Sequence, residues 1–376
     1  EGLWPLTISP RGRDWVERNL FGGRLRAGSF SINASLEDFT RRQKGDPMRE
    51  DAILLDLDFE DIGVRYLAGM PVLENTSARF FLRGSSMEVR SVGGAINLPA
   101  ANGETSPLKV ETVRFFTPNS RDPLQAVDIN FVGAGVTRDI MRAINRPPLR
   151  ALQKVDFDFE RLSGTVRAEV ALQVPVFAPP AKRKLRFNVQ AQTRDLQVEG
   201  ALGPFTLTQG RGDISITNEM LQAVGRVKVN GVDGGFSWQQ PLVATQSDKA
   251  RLAVHGFFAP QDIADLGQGW AASRLTGKPH VNLLISGPIT KPLNYRVFAD
   301  LQPAILTMQP LAFEKAEGAE GTVEAVLTND AEGKIAAIRA RLDMPDKKPL
   351  RVKMTFDGPV MSALEMTPFS MGRDRN

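Results

Sequence analysis

Residues 55–61 read LDLDFED, and residues 155–161 read VDFDFER. In both, acidic and apolar side chains alternate. A β-strand sends successive side chains to opposite faces, so residues two apart share a face and sit about 6.5–7 Å from each other. The pattern predicts two strands with one wet and one greasy side. Asp56, Asp58 and Glu60 take the wet side of the first, and Leu55, Leu57 and Phe59 its greasy side. Phe157 and Phe159 fall on the greasy side of the second.

Two chemical readings of the acids compete with this one. Calcium needs about six to eight oxygens converging on a loop, usually with a glycine at its sharp turn. No glycine lies inside LDLDFED. An acid–base pair needs carboxylates in unlike environments, whereas three acids on one wet face share theirs. The residues therefore nominate neither a metal site nor a catalytic site, and no motif calls for a cofactor.

Outward from this stretch, period-two runs recur at 79–83, 88–92, 126–132, 165–174, 185–191, 225–231, 281–286, 295–301 and 351–356. Turn formers punctuate them: Gly63, Gly69 with Pro71, Asn102-Gly103, Gly231, Asn329-Asp330 and Asp357-Gly358. Strands at this spacing predict an antiparallel, mainly all-β chain rather than βαβ units. Helices are few and short. Ser9-Pro10 and Gly22-Gly23 bracket one around Asp14–Leu20, and two more are expected at Thr137–Ile144 and Pro260–Leu266.

The last two helices enter alike, through Gly133…Asp139-Ile140 and Gly256…Asp262-Ile263, each after a strand. The likeness continues on both sides. It predicts two diverged copies offset by roughly 120–130 residues, with Ala178-Pro179-Pro180 at the junction.

Composition narrows the function classes. The 376 residues are 42% hydrophobic and 24% charged, so the chain can bury a core. Cysteine is absent, which removes disulfides and thiolate chemistry and suits an oxidising compartment. Lysine and arginine number 47 against 43 acids, mostly interspersed. The dense cluster Lys182-Arg183-Lys184 with Arg186 lacks the stacking aromatics of a nucleic-acid face, so no nucleic-acid partner is expected. No apolar run reaches the ~18 residues of a membrane span. The chain opens at Glu1 without a signal-peptide pattern, which predicts a processed or excised piece.

The remaining motifs are weak. His255 and His280 are the only histidines and do not form an i,i+4 pair. Arg211-Gly212-Asp213 spells an adhesion tripeptide, read as a chance turn. Gly133-x-Gly135 lacks the third glycine of a dinucleotide loop. Trp4, Trp15, Trp238 and Trp270 are read as packing residues rather than stacking platforms.

Several stretches together resemble a known family. Trp15-Val16 ahead of Gly22-Gly23, then Phe59, Tyr66 and Pro71 in VRYLAGMP, is similar to the start of the YhdP-type periplasmic domain of the AsmA-like superfamily. RFFLR (79–83) and MEVRSVGG (87–94) resemble its next strand pair. LSGTVRAEVALQVP (162–175) and VGRVKVNGVDGGFSW (224–238) resemble two later segments, so the likeness covers roughly Asp14 to Leu301. The family's membrane anchor has no counterpart in these residues.

The resemblance implies a long, twisted sheet curled into an open groove lined with apolar side chains. It implies a bridge-like carrier of phospholipid across the Gram-negative periplasm, anchored in the inner membrane and serving the outer-membrane barrier, with outer-membrane components among its expected partners. On that reading residues 1–178 form a first groove module with the N-terminal helix, and 179–376 a second, continuous with it in one elongated unit. The expected lining is Leu55, Leu57, Phe59, Phe80, Leu82, Phe157, Phe159, Phe187 and Val189. Acyl burial at ~0.8 kcal/mol per CH₂ would hold lipid without head-group specificity. A ligand-free structural or adhesion scaffold is the alternative, and a polysaccharide-acting enzyme a third, which needs Asp56, Asp58 or Glu60 in a cleft beside a tryptophan.

Overall fold

The computed structural model describes residues 10–66, 69–100, 103–120, 122, 124–146, 158–174, 185–202, 205–243, 249–265, 269–287, 294–308, 313–330, 335–345, 347–358 and 360–367. The chain is dominated by antiparallel β-structure. Twenty of its strands belong to one sheet and three to a second, small one. It divides into two compact units, one of residues 1–153, 163–193 and 215–218, the other of 154–162, 194–214 and 219–376. The expected junction at Ala178–Pro180 lies outside the described residues.

The first unit opens with helix α1 (Pro10–Asn19), β1 (Leu20–Phe21), β2 (Arg24–Ile32) and α2 (Leu36–Lys44). β3 (Ile53–Val64), β4 (Leu73–Arg83), β5 (Ser86–Val92), β6 (Ala95–Pro99) and β7 (Thr105–Thr117) follow. β8 (Val127–Val136), α3 (Thr137–Ile144) and β9 (Leu162–Val174) come next, and β10 (Arg186–Leu202) begins in this unit. β3 pairs with β2 and β4, β4 with β5, β5 with β7, β7 with β8 and β8 with β9, all antiparallel. LDLDFED lies inside β3, as its alternation predicts.

Its twin does not repeat this. Phe159–Arg161 form a single 3₁₀ turn, with the Asp158 carboxylate accepting from the Glu160 backbone N–H. A short acidic side chain that bonds its own backbone two residues on competes with strand formation. Residues 155–157, including Phe157, lie outside the described residues. Gly63 corrects another expectation. It sits within β3 rather than at a turn, and a Cβ there would meet the Phe21 ring at 2.4 Å.

Helix α2 escaped the hydrophobic pattern, yet it is fully capped. Ser35 and Asp38 form a reciprocal capping box, and Gly45 closes the helix at φ +90°. α3 starts and stops at its expected residues and packs Ile140 and Ala143 against Val110, Val113 and Phe131.

The second unit holds most of β11 (Phe205–Thr217), then β12 (Met220–Val229), β13 (Val232–Pro241) and β14 (Arg251–Phe257). Helices α4 (Pro260–Asp265) and α5 (Gly269–Ala272) precede β15 (Leu275–Gly277), β16 (His280–Ser286), β17 (Asn294–Asp300), β18 (Ala304–Met308) and β19 (Phe313–Lys315). β20 (Thr322–Asn329), β21 (Ile335–Met344), β22 (Lys347–Asp357) and β23 (Val360–Thr367) complete it. The β12–β13 hairpin turns on Asn230 and Gly231, both at positive φ (48° and 90°), the type I′ geometry that follows strand twist. Arg211-Gly212-Asp213 lies within strand β11, not on a turn.

Two strand pairs of the sheet are joined by similar helical connections. β8 and β9 pair across a connection containing α3, and β14 and β16 pair across one containing α4 and α5. The small sheet β15–β18–β19 contributes Phe313 to a cluster with Leu301, Leu342 and Leu350. In β19, Lys315 is 1% exposed, and its ammonium donates to the backbone carbonyls of Leu301 (2.5 Å), Ala304 (2.9 Å) and Ala316 (3.0 Å). Three carbonyls match its three donors.

Candidate functional site

The pairing register of the first unit sorts its side chains into two faces. One row on the apolar face runs Gly28, Leu57, Phe80, Val89, Phe115, Ile129, Leu172 across β2, β3, β4, β5, β7, β8 and β9. Beside it run Leu25, Phe59, Ala78, Ser91, Val113, Phe131 and Val170. Partners in an antiparallel ladder point to the same side, so these rows are apolar bands, interrupted in the second by Ser91, which bonds Thr76 (2.6 Å).

Burial along them is uneven. Leu55 (4% exposed), Leu57 (9%), Phe80 (7%) and Leu82 (5%) form one cluster with Met48, Ala52 and Ile53. At these four predicted lining positions the space is filled by protein. Phe59 packs partly buried against the same cluster. Farther along, Val89, Phe115, Ile129, Phe131, Val170 and Leu172 are only half-buried. In β10, Phe187 and Val189 are half-buried while Arg186, Asn188 and Gln190 between them are exposed. Phe159 is half-buried on its 3₁₀ turn, immediately ahead of β9 rather than within a strand.

The β7–β9 residues of this stripe went unnamed in the sequence reading, although GluThrValArgPhePhe (111–116) and ValAspIleAsnPhe (127–131) carry the same alternation as LDLDFED. At the other rim of the face, Leu25 (37%), Phe30 (38%) and Ile32 (52%) of β2 are exposed.

The opposite face is a ladder of arginines and carboxylates. Arg79 grips Asp56 with two parallel bonds of 2.8 and 2.6 Å, Arg26 bonds Asp58, and Arg24 bonds Glu60. Glu88 accepts from both Arg90 (2.8 Å) and Arg114 (2.6 Å). Arg167 grips Glu111 (2.9 and 2.8 Å) and also reaches Glu169 (2.9 Å). Hydrogen bonds from arginine hold the Asp56, Glu88 and Glu111 carboxyls below the usual range, Arg90 weighing most at Glu88. Phe81 lies among these charges, with the guanidinium carbons of Arg79, Arg90 and Arg83 at 4.9, 5.6 and 5.8 Å from its ring centre. Asp56, Asp58 and Glu60, three of the four acids of LDLDFED, thus bind protein arginines, and exposed pairs of this kind are individually worth ~1 kcal/mol or less. Their larger effect is on register, since a one-residue slip would carry every acid to the apolar face.

The second unit repeats the two-faced layout. Val254, Ile285, Ala325, Ile338 and Met354 are buried on one side. On the other, His255 and His280 lie on the neighbouring strands β14 and β16 with ring centres 6.1 Å apart, and the Phe257 ring sits tilted 5.0 Å from His280. Sequence spacing gave no hint of this pair. Among the described residues no group of three or more potential metal ligands occurs, and no helix is long and apolar enough to cross a membrane. Trp238 is half-buried on the apolar face of β13, level with Leu252 and Ile285.

The chain was compared with family models, with curated proteins and with solved structures, and none of the three comparisons gives a match.

Proposed function

We propose that this chain is a lipid-binding β-protein that takes acyl chains against the apolar face of its first unit. The observation that carries the reading is the half-buried stripe of Phe115, Ile129, Val170 and Leu172; Phe187 and Val189 of the adjoining strand β10 are half-buried as well. An apolar sheet face lowers its free energy by burial against another layer. Among the described residues α3 supplies that layer at one end, and Met48 with Ala52 at the other. Each methylene placed on the rest would contribute ~0.8 kcal/mol without regard to head group. Such contact binds lipid while leaving it free to slide.

Together with the resemblance to AsmA-like carriers, this supports an open groove and a role in moving phospholipid through the Gram-negative periplasm toward the outer membrane. An inner-membrane anchor would lie beyond these residues. The dry packing of Leu55, Leu57, Phe80 and Leu82 limits the groove to the stripe and favours, at β3–β4, the scaffold alternative. The enzyme alternative gains nothing from Asp56, Asp58 and Glu60, whose partners are arginines.

The test is a solvent extract of the purified chain, read by mass spectrometry beside a control protein of similar size. Phospholipid should co-purify with the wild type and be lost from Phe115→Asp and Leu172→Asp while circular dichroism stays unchanged. An extract no richer than the control sinks the proposal.

A further inference from the structure

On the charged face of the first unit, between the end of α2, the loop into β3 and the ends of β4, β5 and β7, lies a half-open cavity of about 500 Å³. That volume is in the range of small-molecule sites, ~300–1,000 Å³, and exceeds what a bare ion needs. Its walls are of two kinds. Phe81, Phe116, Pro47 and Pro118 supply apolar surface, and Arg41, Arg49 and Arg83 supply cations.

The cations differ in what they already hold. Arg49 is bonded to Asp38 at 3.2 Å. Arg79, Arg90 and Arg114, just outside, are committed to Asp56 and Glu88. Among the described residues neither Arg41 nor Arg83 donates to a carboxylate. The Arg83 guanidinium carbon lies 5.8 Å from the Phe81 ring centre, and its charge reaches Asp56 at longer range. Two guanidiniums, each with five donors in a planar fork, therefore line an aromatic-walled cavity with acceptors still to find. Glu88 is fully used by two arginines, and Glu50 on the wall is the carboxylate that an anion would have to tolerate.

The walls are fixed before any ligand arrives. The Met48 N–H donates to Ser85 Oγ (2.9 Å), Ser120 N–H to the Ser85 carbonyl (2.9 Å) and Gly84 N–H to the Ile53 carbonyl (2.8 Å). Gly84 stands at φ +55°, where a Cβ would lie 2.2 Å from the Arg49 carbonyl oxygen. A preformed backbone lowers the ordering cost of binding, which falls on the Arg41 and Arg83 side chains.

We propose that this cavity binds a phosphate monoester with a compact apolar body, its phosphate held by Arg41 and Arg83 and its body on Phe81 and Phe116. Phosphate offers three terminal oxygens to two forks, more than a carboxylate can. The site is independent of the acyl-chain reading, because Phe81 and Phe80 point to opposite faces of β4.

Isothermal titration of the full chain tests it with three probes: inorganic phosphate, phenyl phosphate, and dihexanoyl phosphatidate below its micellar concentration. One ester should bind saturably at one site, about tenfold tighter than inorganic phosphate. Arg41→Gln and Arg83→Gln should each weaken it about tenfold, the size of a lost charge-assisted bond. Glu50→Gln should tighten it, and Arg251→Gln, on β14 of the other unit, should leave it unchanged. Preference for phenyl phosphate assigns the site to a soluble ester, and preference for the phosphatidate assigns it to a lipid head. Both arginines are exposed, so unchanged melting temperatures would confirm intact folds. No saturable binding, binding indifferent to both arginine variants, or inorganic phosphate binding as tightly as either ester overturns the proposal.

Discussion

Phe80 and Phe115 stand in the same row of the same face, separated only by Val89, and truncating each to alanine should give very different penalties. A buried phenylalanine removes about 150–200 Å² from water, worth ~4–5 kcal/mol as an upper bound at 25 cal/mol per Å². Phe80 is 7% exposed and enclosed by Leu55, Leu57 and Leu82. Phe80→Ala leaves a closed cavity there, so the expected cost is ~3–5 kcal/mol. Phe115 is half-buried. Its truncation removes part of that area and opens onto space already outside the core, so the cavity contribution vanishes and ~1–2 kcal/mol remains. With two units, a whole-chain melting curve would blur the comparison. Urea unfolding followed by hydrogen exchange of the β4, β5 and β7 peptides reads the first unit alone. Equal penalties, or a larger one at Phe115, would mean the stripe is as dry as the core, and the acyl-chain reading would lose its basis.

Two further outcomes follow from charged groups. Lys315→Met keeps the stem but leaves the Leu301, Ala304 and Ala316 carbonyls unpaired, and at ~1–3 kcal/mol per abandoned buried acceptor the second unit should lose several kcal/mol in urea unfolding. Asp38 is held down from 3.8 to about 2 by the Ser35 backbone N–H and then by Arg49. A depressed carboxyl stabilises the fold above its unfolded pKa, near 3.9, and loses that contribution as pH falls toward 2. Between pH ~4 and ~2 the wild-type melting temperature should therefore fall more steeply than that of Asp38→Asn; parallel profiles would refute the assignment.

Much of the architecture was legible because period-two alternation is a local property. The runs at 55–59, 79–83 and 165–174 became β3, β4 and β9. VDFDFER misled because alternation ignores whether an aspartate will bond its own backbone, as Asp158 does. α2 was missed because its outward Leu36 and Phe39 gave no amphipathic signal, although Ser35, Asp38 and Gly45 already spelled its caps. The faces were partly legible and their covering was not. Alternation places Leu57 and Leu172 on greasy sides, but only tertiary packing decides that Met48 and Ala52 close over one and not the other. The arginine partners of LDLDFED depend on strand register, which no single segment encodes.

Strand β2 hydrogen-bonds to β3 along one side, and among the described residues no strand pairs with its other side. A free edge is an invitation to foreign strands, and proteins discourage such visitors with charge and kinks. Here the ladder slips between Leu25 and Ala27, leaving Arg26 as the extra residue of a bulge, with Arg24 two positions away. That irregularity spoils the straight template an incoming peptide would copy. Restoring the regular pleat by deleting Arg26 would straighten that border into a template other strands can copy.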